Sequence, residues 1–189
     1  MATNLEIEYK TLLTKTEYDK LSEKYKSHPI FEQTNYYFDT PNYALKSHKM
    51  SLRIRILSQK AEITLKIPQE VGNKEYNIKL SLEEANNIIQ TNNFPSNDIT
   101  KILNQENITL NDIKCFGHLT TKRREVKLPI GLLAIDFNEY SNVTDFELEL
   151  EVSDSNQGKK DFNQFLINEN IQFKYSKSKV ARFSQTLLK

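Results

Sequence analysis

The chain has 189 residues, with 26 Lys and Arg against 25 Asp and Glu for a net charge of +1, so nothing in the overall balance points to nucleic acid or a membrane surface. A lone cysteine, Cys115, excludes an intrachain disulfide and suits a reducing compartment. No signal-like N-terminus and no apolar run of membrane length is present, and a soluble cytoplasmic protein is expected.

Taken in chain order, the sequence is dominated by two-residue alternation. The opening stretch LEIEYK (5–10) reads as a strand, followed by TNYYFDT (34–40), MSLRIRIL (50–57), AEITLKI (61–67), EYNIKL (75–80), LTTKRREVKL (119–128), GLLAIDFNEY (131–140) and DFELELEV (145–152). PNYALKSHK (41–49) links the second and third strands. Short polar connections such as LSQK and VGNK suggest antiparallel neighbours. Helices are fewer. Thr14 with Glu17 makes a capping box ahead of Tyr18, Leu21 and Tyr25, and Ser81 with Glu84 makes a second ahead of Ala85, Ile88 and Ile89. Further helices are predicted over 98–104, 159–168 and 178–187. With no repeat and no Pro/Ser-rich linker, a single domain over 1–189 is expected.

The strands have two different faces. One carries Leu5, Ile7, Tyr9, Leu52, Ile54, Ile63, Leu65, Ile78, Val126, Leu133, Ile135, Leu148 and Leu150. The other carries Glu6, Glu8, Lys10, Arg53, Arg55, Glu62, Lys66, Glu75, Lys79, Arg123, Glu125, Asp136, Glu147, Glu149 and Glu151. A sheet with its polar side in water and its apolar side on helices is one reading of this pattern. Two features favour another. Like charges repeat within a strand, as in Glu147–Glu149–Glu151 and Arg53–Arg55, which stability alone does not select. There are also enough amphipathic helices to cover the outside of a curled sheet, leaving the charged face to line a lumen. Charges in a lumen must be paired or bound to ions. Separate basic and acidic sets can hold a polyanion together with its metals.

Other means of holding phosphate are missing. Four glycines form no Gly-rich phosphate cradle. The three histidines stand apart, without Cys/His zinc spacing. Any metal must therefore be held by carboxylates, which suits Mg²⁺ or Mn²⁺.

Glu6-x-Glu8-x-Lys10, Arg53-x-Arg55, Lys66, Arg123, Asp136, the Glu-x-Glu row at 147–151 and the closing SKVAR with Lys179 and Arg182, in this order, resemble the CYTH superfamily of triphosphate tunnel metalloenzymes, in particular its small bacterial stand-alone members of the YjbK type. The resemblance spans nearly the whole chain. It implies an α+β fold: an antiparallel eight-stranded tunnel-like β-barrel with a charged lumen and helices packed outside. It also implies a triphosphate-containing small molecule as substrate, with Mg²⁺ or Mn²⁺ as cofactor. Glu6, Glu8, Asp136, Glu147, Glu149 and Glu151 are then the metal candidates, with Glu149 and Glu151 the better match to the paired acids. Lys10, Arg53, Arg55, Lys66, Arg123, Lys179 and Arg182 are the triphosphate candidates. Glu6, Glu8, Lys10, Glu149 and Glu151 form the catalytic set. Arg124 has the wrong parity for this face.

The leading expectation is a metal-dependent triphosphatase acting on inorganic triphosphate, with one metal neutralising the substrate and a second activating water in line with the terminal phosphorus. Thiamine triphosphatase, class IV-type adenylate cyclase and a non-catalytic triphosphate or polyphosphate binder are the alternatives. Neither a nucleic-acid nor a membrane partner is expected. If Glu8 and Glu149 repel each other across a lumen, replacing either with Gln should not lower the melting temperature.

Overall fold

The structure is a computed structural model and describes residues 1–187. Its strands are β1 (Ala2–Leu13), β2 (Ile30–Asp39), β3 (Ser51–Leu57), β4 (Lys60–Pro68), β5 (Asn73–Leu80), β6 (Lys114–Leu128), β7 (Gly131–Tyr140) and β8 (Val143–Val152). Its helices are α1 (Lys15–Lys24), α2 (Ala44–Ser47), α3 (Leu82–Thr91), α4 (Asp98–Gln105), α5 (Ser155–Glu169) and α6 (Lys179–Thr186). The strands hydrogen-bond in the order β1-β5-β4-β3-β2-β6-β7-β8 and close into a barrel. Closure leaves no sheet edge, and it makes the face opposite the helices an interior one.

The alternation explains the strands and the turns explain their register. Leu57 pairs with Lys60 across Ser58 and Gln59, and Tyr140 pairs with Val143 across Ser141 and Asn142. Ser58 and Ser141 take positive φ, the conformation that twists a two-residue hairpin correctly. Leu128 pairs with Gly131 around Pro129 and Ile130. Gly131 has φ +145°, and a Cβ there would stand 2.2 Å from the Glu151 carbonyl oxygen, so only glycine fits this corner. Both predicted capping boxes form, at Thr14/Glu17 and Ser81/Glu84, and Asn97 with Thr100 makes a third.

The chain divides into two compact units. The first comprises residues 1–5 and 34–118, the second residues 6–33 and 119 onward. In the first, Leu52, Ile54, Ile63 and Leu65 are buried against Ala85 and Ile88 of α3 and Ile99 and Leu103 of α4. In the second, Val126, Leu133, Ile135, Leu148 and Leu150 are buried with Leu21 of α1 and Phe162, Phe165 and Leu166 of α5. Each of these Val, Leu, Ile and Phe side chains contributes about 1.5–3 kcal/mol on burial. Since i and i+1 point to opposite faces, packing the apolar positions on these helices turns Arg53, Arg55, Lys66, Arg123, Asp136, Glu147 and Glu149 to the other side.

Candidate active site

In the second unit, β7 and β8 pair Asp136 with Glu147, while Arg123 on β6 lies opposite Asp136. Glu149 is two residues beyond Glu147 on the same face and is flanked by Lys10 on β1. The geometry is therefore set by register alone. Asp136, Glu147 and Glu149 each bring a carboxylate oxygen to within 4.8 Å of the others, and all three are buried.

Cations are drawn to them from two directions. Arg123 donates from Nε to Asp136 Oδ1 at 2.7 Å, and from Nη2 to Asp136 Oδ2 at 2.6 Å and Glu149 Oε2 at 2.5 Å. The extended segment 171–178 is tied to β1 by the Lys174 N–H, which donates to Thr11 Oγ1 at 2.7 Å, and by the Leu12 N–H, which donates to the Lys174 carbonyl at 3.0 Å. This leads into α6, whose N-cap Ser178 accepts from the Ala181 N–H. Lys179 then reaches Asp136 Oδ2 at 2.8 Å, Glu147 Oε2 at 2.5 Å and Glu149 Oε1 at 2.6 Å. One turn on, Arg182 binds Asp145 Oδ2 at 2.8 Å and Glu147 Oε1 at 2.9 Å, and Ser176 donates to Glu147 as well.

The electrostatics follow from this packing. Burial opposes ionisation of Glu149, but Lys179, Arg123 and Lys10 outweigh it and hold the carboxyl well below its usual range. Burial likewise opposes the charge on Lys179, and Asp136, Glu147 and Glu149 overcome it to push the ammonium well up. The oxygens are hard donors at a spacing that fits a divalent cation such as Mg²⁺ or Mn²⁺, so this donor set passes the chemical test for a metal site.

The first unit carries a smaller, basic cluster. Lys66 Nζ stands 2.8 Å from Glu75 Oε1, an ion pair outside hydrogen-bond alignment, and Arg53 Nη2 is 3.7 Å from the same oxygen. Arg53 Nε is buried with no hydrogen-bond partner. Arg55 donates to Asn35 at 3.0 Å and lies 3.5 Å from Glu62. Burial would raise the Glu75 carboxyl from its ordinary 4.5, but Lys66 and Arg53 dominate and bring it down to about 2. Ionised Glu75 thus stabilises the fold fully above about pH 4.5, and that stabilisation disappears as pH falls toward 2. Between pH 5 and pH 2, the unfolding free energy of the parent should fall by about 3 kcal/mol more than that of Glu75→Gln, measured by urea titration at each pH.

The remaining sequence candidates fall nearby or apart. Lys10 Nζ holds Glu8 Oε1 at 2.5 Å, and Glu6 is half-buried on the same strand. Glu151 is exposed and pairs in register with Glu8. The structure therefore gathers Glu147 with Glu149 around Asp136, whereas the motif alone favours Glu149 with Glu151. Glu8 does not confront Glu149 across a lumen: β1 and β8 are neighbours, and Lys10 is the register partner of Glu149. Asp39 accepts from the backbone N–H groups of Thr40, Leu45 and Lys46 and is a structural residue. Arg124 turns away and donates to the His28 carbonyl. Sequence reasoning missed Asp145 and Ser176 and left Glu75 without a role. Asp145 was signalled by its parity with Glu147.

The CYTH domain family matches residues 4–184. The chain belongs to that family. Among CYTH proteins it is 33% identical to YjbK of Bacillus subtilis, provisionally named a triphosphatase, over 97% of this chain and 96% of that one. A crystal structure from Bacillus halodurans, provisionally described as an adenylate cyclase, superimposes with a TM-score of 0.92 at 30% identity, covering 97% of this chain and 99% of the other. The same fold recurs in HpAC1 from Hippeastrum, with a TM-score of 0.83 at 23% identity over 96% of each chain. No helix among the described residues is long and apolar enough to cross a membrane.

Proposed function

We propose that this CYTH protein is a divalent-metal-dependent triphosphatase, acting on inorganic triphosphate or a related triphosphate compound, with Mg²⁺ or Mn²⁺ as the metal and a cytoplasmic setting. The observation that carries the reading is the buried Asp136–Glu147–Glu149 oxygen cluster, interleaved with Arg123 and Lys179. The name of its Bacillus subtilis relative supports it.

In this reading Asp136, Glu147 and Glu149 hold the metal. Glu6, Glu8 and Glu151 on β1 and β8 supply further oxygen ligands. Arg53, Arg55 and Lys66 in the first unit, and Lys10, Arg123, Lys179 and Arg182 in the second, neutralise phosphate oxygens. The orphaned Nε of Arg53 supports such an assignment, because a buried donor without a partner is costly until an acceptor arrives. Lys10 pairs with Glu8 and would orient its carboxylate as a ligand. When bound, the metal supplies Lewis acidity toward phosphoryl oxygens and water.

The test is to incubate the protein separately with tripolyphosphate and ATP, with Mg²⁺ or Mn²⁺, and resolve the products. Orthophosphate released from tripolyphosphate and abolished by chelator is the expected result. Cyclic AMP and pyrophosphate from ATP, with tripolyphosphate untouched, would replace the reading with that of a cyclase, which the Bacillus halodurans relative's description makes the second candidate. Metal-linked binding of tripolyphosphate without turnover would make the protein a binder.

A further inference from the structure

Lys179 commits its ammonium to the three acids of the cluster, hydrogen-bonding Glu147 and Glu149 and ion-pairing with Asp136. Here one oxygen each of Asp136, Glu147 and Glu149 lies 2.8, 2.5 and 2.6 Å from Nζ. Those are the three side chains whose oxygens form the candidate metal set. Nζ therefore stands at the shared focus of the set, where a metal would coordinate. Two cations cannot both occupy it.

From this we infer that Lys179 is a tethered counter-ion of the metal site: its ammonium fills the acid triad while no metal is bound and is expelled when a divalent cation enters. This rests on the proposed assignment of the triad to metal.

Neighbouring contacts make expulsion feasible without unfolding α6. Arg182 anchors the helix independently, through Asp145, Glu147 and the Lys177 carbonyl at 2.5 Å. Arg123 grips Asp136 from the side with a two-nitrogen fork and takes Glu149 Oε2, leaving Glu149 Oε1 to Lys179. A planar guanidinium held at two edges is a fixture, whereas an ammonium on a four-carbon stem can swing clear. Lys179 also opens the first turn of α6, so its side chain can leave while the later turns stay seated.

Two measurements test the inference, neither needing turnover. In the first, the parent protein is treated with an amine-acylating reagent with and without saturating Mn²⁺, and each lysine is quantified by peptide mass spectrometry. Lys179 should be protected without metal and labelled about tenfold faster with it, while exposed Lys159 is unchanged. In the second, Mn²⁺ is titrated calorimetrically into the parent, Lys179→Met and Glu147→Gln with no triphosphate present. Lys179→Met should bind Mn²⁺ at least tenfold more tightly than the parent, and Glu147→Gln much more weakly. If Glu147→Gln weakens Mn²⁺ binding but Lys179 stays protected in the metal-bound parent, the counter-ion role is wrong and the metal assignment survives. If Glu147→Gln binds Mn²⁺ as the parent does, the metal assignment itself fails and takes the inference with it. Should Lys179→Met not fold, the labelling of the parent decides alone.

Discussion

Replacing Arg123 with methionine is expected to lower the unfolding free energy by about 3–5 kcal/mol, one of the largest single effects available in this chain. Arg123 satisfies both oxygens of Asp136, whose side chain is fully buried, and one oxygen of Glu149. Its removal leaves Lys179 as the only direct cation on Asp136 among the described residues. Breaking one member of a buried ionic set is costly because the partner charge stays behind uncompensated. The double replacement Arg123→Met with Asp136→Leu should recover much of the loss, since it removes the stranded charge too. Urea unfolding at neutral pH measures both. A cost below about 1 kcal/mol for Arg123→Met would mean that water, rather than Arg123, balances these acids. The same logic reverses one expectation drawn from sequence. Glu149 is stabilised as an anion, so Glu149→Gln should melt below the parent, not level with it.

The second large effect concerns the basic cluster of the first unit. Each hydrogen bond to a charged group contributes about 1.5–3 kcal/mol, so the double variant Arg53→Ala with Lys66→Ala should weaken tripolyphosphate binding by about 100-fold or more. Both cations already lean on Glu75, which complicates a simple loss of affinity, because damage to the fold could mimic it. Glu75→Gln separates the two explanations. It removes the internal competitor and leaves both cations in place, so tripolyphosphate should bind it at least as tightly as it binds the parent. Calorimetric titration gives the affinities. If Glu75→Gln weakens binding as much as the double variant does, the cluster is a structural ion network and not a phosphate site.

Much of the fold was legible because two strong local signals repeat. Alternation marked most of the strands, and the Thr14/Glu17 and Ser81/Glu84 boxes marked the starts of α1 and α3. What escaped depends on tertiary partners. The short α2 follows Tyr43 in a left-handed conformation and is held by the Asp39 carboxylate, neither of which a periodicity reveals. β6 begins at Lys114, five residues before its alternation becomes clear, because KCFGH carries no such pattern. The acidic row shows the same division. Parity places Asp145, Glu147, Glu149 and Glu151 on one face, but only the pairing of Glu147 with Asp136 decides which of them gather. The convergence of Lys179 on all three acids is set by where the 171–178 segment is pinned to Thr11, far away in sequence.

The second unit is built from two separated stretches of chain, whereas the first is nearly continuous. During synthesis this imposes an order of events. Residues 34–118 can collapse onto α3 and α4 using mostly local pairings, which form quickly. The β1–β8 ladder has to wait until Val152 has emerged, and its distant partners make it slow. The acids of β7 and β8 emerge before residues 176–182 do, so Ser176, Lys179 and Arg182 reach Glu147 last. Until they arrive, Arg123 holds Asp136 and Glu149 but does not reach Glu147, and hydration must carry the rest of the charge. The nascent chain must therefore keep this patch wet until α6 has emerged to cover it.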